Sequence, residues 1–115
     1  MKPLSIEEFD VEVSAALDLV PPALTALIDN VAIFIEDRHR DEPDLLGLYE
    51  GVPLTERDSY GFMDLPDRVT VYRLPLCDQC TDRDELIDEI RITVIHEVAH
   101  HFGIDDDRLE ELGWN

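Results

Sequence analysis

Cysteine is almost absent from this 115-residue chain: only Cys77 and Cys80 occur, in Cys-Asp-Gln-Cys. Two cysteines build no disulfide framework, so an apolar core must hold the fold. Basic residues are scarce too, with 9 Lys and Arg against 28 Asp and Glu and a formal net charge of -19. Such a surface repels phosphate backbones and anionic membranes, so neither nucleic acid nor membrane is an expected partner. Long apolar runs are missing, and nothing approaches the roughly 20 residues that span a bilayer. The first residues, Met1-Lys2-Pro3-Leu4-Ser5-Ile6-Glu7-Glu8, turn acidic at once and lack the apolar stretch of a secretory signal. A cytoplasmic location is therefore expected. Repeats and low-complexity segments are also absent.

An apolar content of 44% fits a globular protein, and the length fits a single domain over residues 1–115 with a small core. The acidity reads first as a solvated surface; it would also suit basic peptides.

Ser5-Ile6-Glu7-Glu8 has the form of a capping box, and Phe9, Val13, Ala16, Leu17 and Val20 follow at helical spacing. Pro21-Pro22 ends that helix and can open a second short one, with Leu24, Leu27 and Ile28 facing inward. Val31–Ile35 is β-branched and aromatic and reads as a buried strand. Leu45–Tyr49 is a second strand, Thr55–Asp67 a polar loop, and Arg68–Leu74 an alternating third strand ended by Pro75. Thr81-Asp82-Arg83-Asp84-Glu85 starts a helix that should run to about Phe102, with Gly103 as its left-handed terminator. A short helix, Asp106 to Leu112, follows. Helices, three strands and a long helix make an α+β order.

The chemistry lies in that long helix, which contains His96-Glu97-Val98-Ala99-His100, extended as His-Glu-x-x-His-x-x-Gly-x-x-Asp to Asp106. Two histidines four apart on a helix point the same way, one turn above the other, so both imidazoles can share a metal. Glu97 beside them can reach a metal-bound water. On a helical projection Leu86, Ile87, Ile90, Val94, Ile95, Val98, Ala99 and Phe102 sweep a wide apolar arc, and Arg91 inside it calls for a carboxylate partner. His96, Glu97 and His100 occupy the remaining arc, with Glu89 and Thr93 nearby. A core helix with two satisfied histidines is the blander alternative, and Glu97 between them argues against it.

A catalytic zinc usually takes three protein ligands plus water. Gly103 lets the chain turn back after His96 and His100, so Asp106 is the favoured third ligand. Asp105, Asp107 and Glu110 compete for that place. His101 reads as a packing residue and His39 as a solvated loop residue. Cys77 and Cys80 read as a tight reduced loop, with a redox pair or half a structural zinc site as alternatives.

With these residues in place, the chain resembles the minimal zincin-like metallopeptidases of small bacterial proteins. The residues carrying the resemblance are His96-Glu97-Val98-Ala99-His100-His101-Phe102-Gly103-Ile104, Asp106, and upstream Leu45-Leu46-Gly47-Leu48-Tyr49-Glu50-Gly51-Val52-Pro53-Leu54. The resemblance implies a small mixed sheet of about three or four strands packed on an active-site helix, with N-terminal helices. It implies zinc on His96 and His100 and Glu97 as general base. The extended motif is also similar to that of metzincins with Asp106 in the third-ligand place, although Met1 and Met63 both precede the motif where metzincins carry a later methionine.

The expected activity is zinc-dependent hydrolysis of peptide bonds, with a metal-bound water as nucleophile and Glu97 taking and returning its proton. A peptide or protein is the expected substrate, pairing with an exposed strand edge, for which Val69–Leu74 is the best stretch. Tyr49, Tyr60 and Tyr72 are the tyrosines available to hold an oxyanion. Three alternatives come from other classes: a zinc-binding scaffold of zincin fold without turnover, a histidine-rich nuclease, and a non-haem iron oxygenase. The acidity opposes the nuclease, and the adjacent glutamate favours hydrolysis over oxygenation.

Overall fold

Helix α1, Ile6–Asp18, begins where the capping box places it: Ser5 Oγ accepts from the Glu8 amide at 3.1 Å, and Glu8 Oε1 accepts from the Ser5 amide at 3.2 Å. This is seen in a computed structural model that describes residues 1–22, 24, 31–51, 67–101 and 103–112, with the backbone alone for His101. Phe9, Val13 and Ala16 form the buried stripe of α1. Beyond Pro21, Pro22 and Leu24 are helical and Leu24 is buried, as the proline pair suggests; Leu27 and Ile28 lie outside the described residues.

The sheet has three strands, β1 (Val31–Glu36), β2 (Gly47–Glu50) and β3 (Asp67–Tyr72), in the order β1-β3-β2. β1 runs parallel and β2 antiparallel to β3. This corrects the expected substrate edge. The stretch from Val69 is the central strand, paired on both sides, because Val69 and Val71 are wholly buried on the face toward the helices. The strand also stops earlier than expected. Arg73 and Leu74 belong to helix α2, Arg73–Gln79, since a proline at position 75 is tolerated in a first helical turn, where no amide partner is needed. At its other end β3 starts at Asp67, and the rest of the expected polar loop lies outside the described residues.

Cys77 lies within α2 and Cys80 caps it, so the pair belongs to a helix end rather than a loop. Both thiols are free and buried. Burial first, then the charges of Glu85 and Glu89, pushes the Cys80 thiol up to about 11, which keeps it protonated and unreactive.

Helix α3, Arg83–His101, is the centre of the molecule. Leu86, Ile90, Val94 and Val98 pack with α1, α2 and the sheet. Ile95 and Ala99 pack on another side with Val20, Leu24 and Leu109. Each such fully buried aliphatic side chain stabilises the fold by about 1.5–3 kcal/mol. Arg83 ties the start of α3 to α1, with Nη2 3.0 Å from Glu8 and Nη1 3.6 Å from Glu12. Arg91, as expected, has a carboxylate neighbour, Asp88, at a loose 3.9 Å. The short helix α4 spans Asp106–Leu112 and buries Leu109. The architecture is α+β, a small mixed three-stranded sheet with four helices among the described residues. Among those residues no helix is long and apolar enough to cross a membrane.

Candidate functional site

Because α3 is buried on two sides, one stripe remains for chemistry: Thr93, His96, Glu97 and His100, spaced three and four apart. The rings of His96 and His100 lie 5.7 Å apart between centroids with planes tilted by 33°. His96 is partly buried, and its Nε2 is inaccessible with no hydrogen-bond partner among the described residues. A buried ring nitrogen left in that state is costly unless something else satisfies it.

The end of α3 positions the next donor. The Gly103 amide donates to His100 O at 3.1 Å and the Ile104 amide to Ala99 O at 2.9 Å, closing the helix through a glycine with φ of 78°. Ile104 packs on the same cluster as Ala99, which fixes the angle of departure. The chain then enters α4, where Asp105 accepts from the Arg108 amide at 2.9 Å as the helix cap. Asp106 faces back toward α3, and its Oδ1 lies 3.0 Å from His100 Nε2. Asp107 and Glu110 line a hollow with Glu111. The structure thus brings His96 beside His100, and His100 against Asp106. Among the described residues it does not draw three metal-donor side chains into one cluster.

Glu97 is half-buried where β2 crosses α3. Burial is the largest influence on its carboxyl and raises its pKa; the Tyr49 amide, then the His100 and His96 charges, act in the opposite sense. That amide donates to Glu97 Oε2 at 3.2 Å. Gly47, two residues before, lies so close to α3 that a Cβ there would sit 2.6 Å from Thr93 Cγ2. Sequence reasoning names Gly47 only within the stretch that carries the family resemblance and gives no role to the Tyr49 amide. The available signal was an isolated glycine inside an apolar strand, which marks a close approach of another element.

The remaining expectations divide. The Tyr49 hydroxyl donates to Asp67 at 2.5 Å, and Tyr72 is buried with its ring against His39, so both are engaged elsewhere. Tyr60, Phe102 and the side chain of His101 lie outside the described residues. His39 is only partly exposed, and its Nδ1 accepts from the amides of Asp41 and Glu42, so it organises its loop rather than standing in solvent.

An α+β domain that lays a helix bearing His-Glu-x-x-His along the edge of a small mixed sheet is the architecture of a zincin. The chain belongs to the zincin-like metallopeptidase family, whose model matches residues 28–114. This agrees with the resemblance read from the motif. A solved structure of a conserved hypothetical protein from Thermo thermophilus is similar over 95% of this chain and 97% of that one, at 23% identity and a TM-score of 0.56, which shows a shared fold. No curated protein matches the chain.

Proposed function

We propose that this protein is a zinc-dependent metallopeptidase in which His96, His100 and Asp106 hold zinc and Glu97 is the general base. The observation that carries the reading is His96 Nε2: a buried nitrogen without a partner among the described residues, one helical turn from His100. His96 Nε2, His100 Nε2 and Asp106 Oδ1 are the atoms that would hold a cation, the last two already 3.0 Å apart. Two imidazoles and a carboxylate fit zinc in charge and donor type. Zinc, when bound, supplies Lewis acidity that polarises water and a peptide carbonyl.

The chain's own residues do the rest. Glu97 is anchored through Oε2 to the Tyr49 amide, which leaves its other oxygen to accept a proton and deliver it to the leaving amine. Its partial burial raises its proton affinity, which suits that exchange. An extended peptide would pair with an outer strand of the sheet rather than with β3, whose backbone is paired on both sides.

Metal analysis and peptide-library cleavage test the proposal together. Glu97→Gln should retain zinc and lose hydrolysis by about a hundredfold or more. Asp106→Ala should weaken zinc by more than about tenfold, and Asp107→Ala should leave it unchanged. Equal losses at the two aspartates would remove Asp106 from the ligand set. The second reading, a zincin-fold scaffold that binds zinc without turnover, draws on the exposed setting of Asp106 and the absence of a three-donor cluster among the described residues. It predicts stoichiometric zinc with no cleavage of any library peptide.

A further inference from the structure

We infer that Gly47 is a positioning residue: its missing side chain lets β2 approach α3 closely enough for the Tyr49 amide to hold the Glu97 carboxylate. The inference rests on the role proposed for Glu97.

Gly47 is not required by backbone conformation. Among the described residues the only positive φ belongs to Gly103, so any residue could adopt the backbone of Gly47. Space is what excludes a side chain. A Cβ at position 47 would lie 2.6 Å from Thr93 Cγ2, 3.3 Å from Thr70 O and 3.6 Å from Glu97 Cγ. Neither of the two nearest neighbours yields easily. Thr93 is buried and β-branched on a helix, with few allowed rotamers, and Thr70 O is backbone of the central strand.

Strand parity explains why this spacing matters for Glu97. The Tyr72 amide donates to Leu46 O, and Leu48 and Glu50 continue the pairing with β3 in steps of two. The amides of Gly47 and Tyr49 therefore point away from β3. An edge amide normally donates to water; this one donates to Glu97 Oε2 at 3.2 Å. Thr93 and Glu97 are one helical turn apart on the same face, so whatever lifts β2 off Thr93 also lifts Tyr49 off Glu97. Carbon atoms rest at about 3.5–4.0 Å, so a methyl at position 47 demands roughly an ångström of separation. A hydrogen bond starting from 3.2 Å does not survive that displacement. A carboxylate released at one oxygen loses its orientation for proton transfer, which lowers kcat without changing how substrate is bound.

Amide hydrogen exchange at Tyr49, read by NMR on the full chain, tests the contact without reference to activity. Wild type should protect that amide about tenfold relative to Gly47→Ala. Glu97→Ala, which removes the acceptor, should expose it to the same degree. Thr93→Ser removes only the Cγ2 methyl, so Gly47→Ala/Thr93→Ser should regain most of the protection. In turnover, Gly47→Ala should lower kcat about tenfold with KM and zinc affinity unchanged, and the double variant should recover. Equal exchange in wild type and Glu97→Ala would overturn the inference even if Gly47→Ala failed to fold. A parallel fall of kcat and zinc affinity in Gly47→Ala would overturn it as well, by showing general damage to the site. If no form of the protein cleaves peptide, the peptidase reading fails, while the exchange comparison still decides whether Gly47 positions Glu97.

Discussion

Two glycines shape this site for opposite reasons. Gly47 is needed for space, in an ordinary backbone conformation; Gly103 is needed for conformation, in open space, since a Cβ there would meet nothing within 4 Å. Gly103→Ala should therefore cost about 1–2 kcal/mol, the penalty of a left-handed L-residue. Gly103→Asn should cost less, because asparagine tolerates that region. Urea unfolding measures both. Equal stability of the alanine variant and wild type would show that the turn can be closed another way. Asp106 reaches His100 through this turn, so on the proposed zinc site metal affinity should fall along with stability. His96, Glu97 and His100 were legible because helical spacing alone brings them onto one face. Gly103 was legible because the apolar periodicity stops there. The Tyr49 amide was not, because a backbone group's partner depends on which strand edge meets which helix.

At the scale of elements, α1 and α3 show how cap and core differ in weight. The Ser5–Glu8 box satisfies two amides at an exposed helix end. Ile90 is wholly inaccessible between α1, the sheet and α2. Ser5→Ala should lower stability by about 1 kcal/mol, and Ile90→Ala by about 2–5 kcal/mol, both read from chemical denaturation. A cap substitution as costly as the core one would mean that α1 carries more of the fold than its packing indicates. The third strand shows how local pattern is overruled. Val69 and Val71 set an alternation that reads on toward Leu74, yet the chain turns helical after Tyr72, although the Leu74 amide still donates to Asp37 O at 3.1 Å, one residue past the end of β1. Pro75 marked a boundary two residues late and mistook its kind, for proline fits the first turn of a helix as readily as it ends a strand.

Across the whole molecule, a net charge of -19 is spread over 115 residues, and the ion pairs of Arg38, Arg73 and Arg108, and that of Arg83 with Glu8, involve exposed carboxylates. Exposed pairs of this kind contribute little, so self-repulsion of the carboxylates should dominate the electrostatics of folding. Screening shortens from about 30 Å at 0.01 M salt to about 3 Å at 1 M. The thermal midpoint should therefore rise with sodium chloride across that range. A midpoint that falls with salt would show that specific ion pairs outweigh the repulsion. The same charge would favour a cation at the proposed zinc site, so on that proposal zinc affinity should weaken as salt is added.

The sequence by itself determined most of the elements and which residues share one face of α3. Helical period, capping residues and one terminating glycine are local properties, readable wherever the residues that interact are near in the chain. It also determined the family, because the motif is contained in a single helix and its turn. Only the tertiary structure decided the order of the strands, with β3 in the middle. Pairing joins residues far apart in sequence, and their alternation is the same for a central strand as for an edge. The contact between β2 and α3 was decided at that level too: a Cβ missing at Gly47 has meaning only once Thr93 lies across from it.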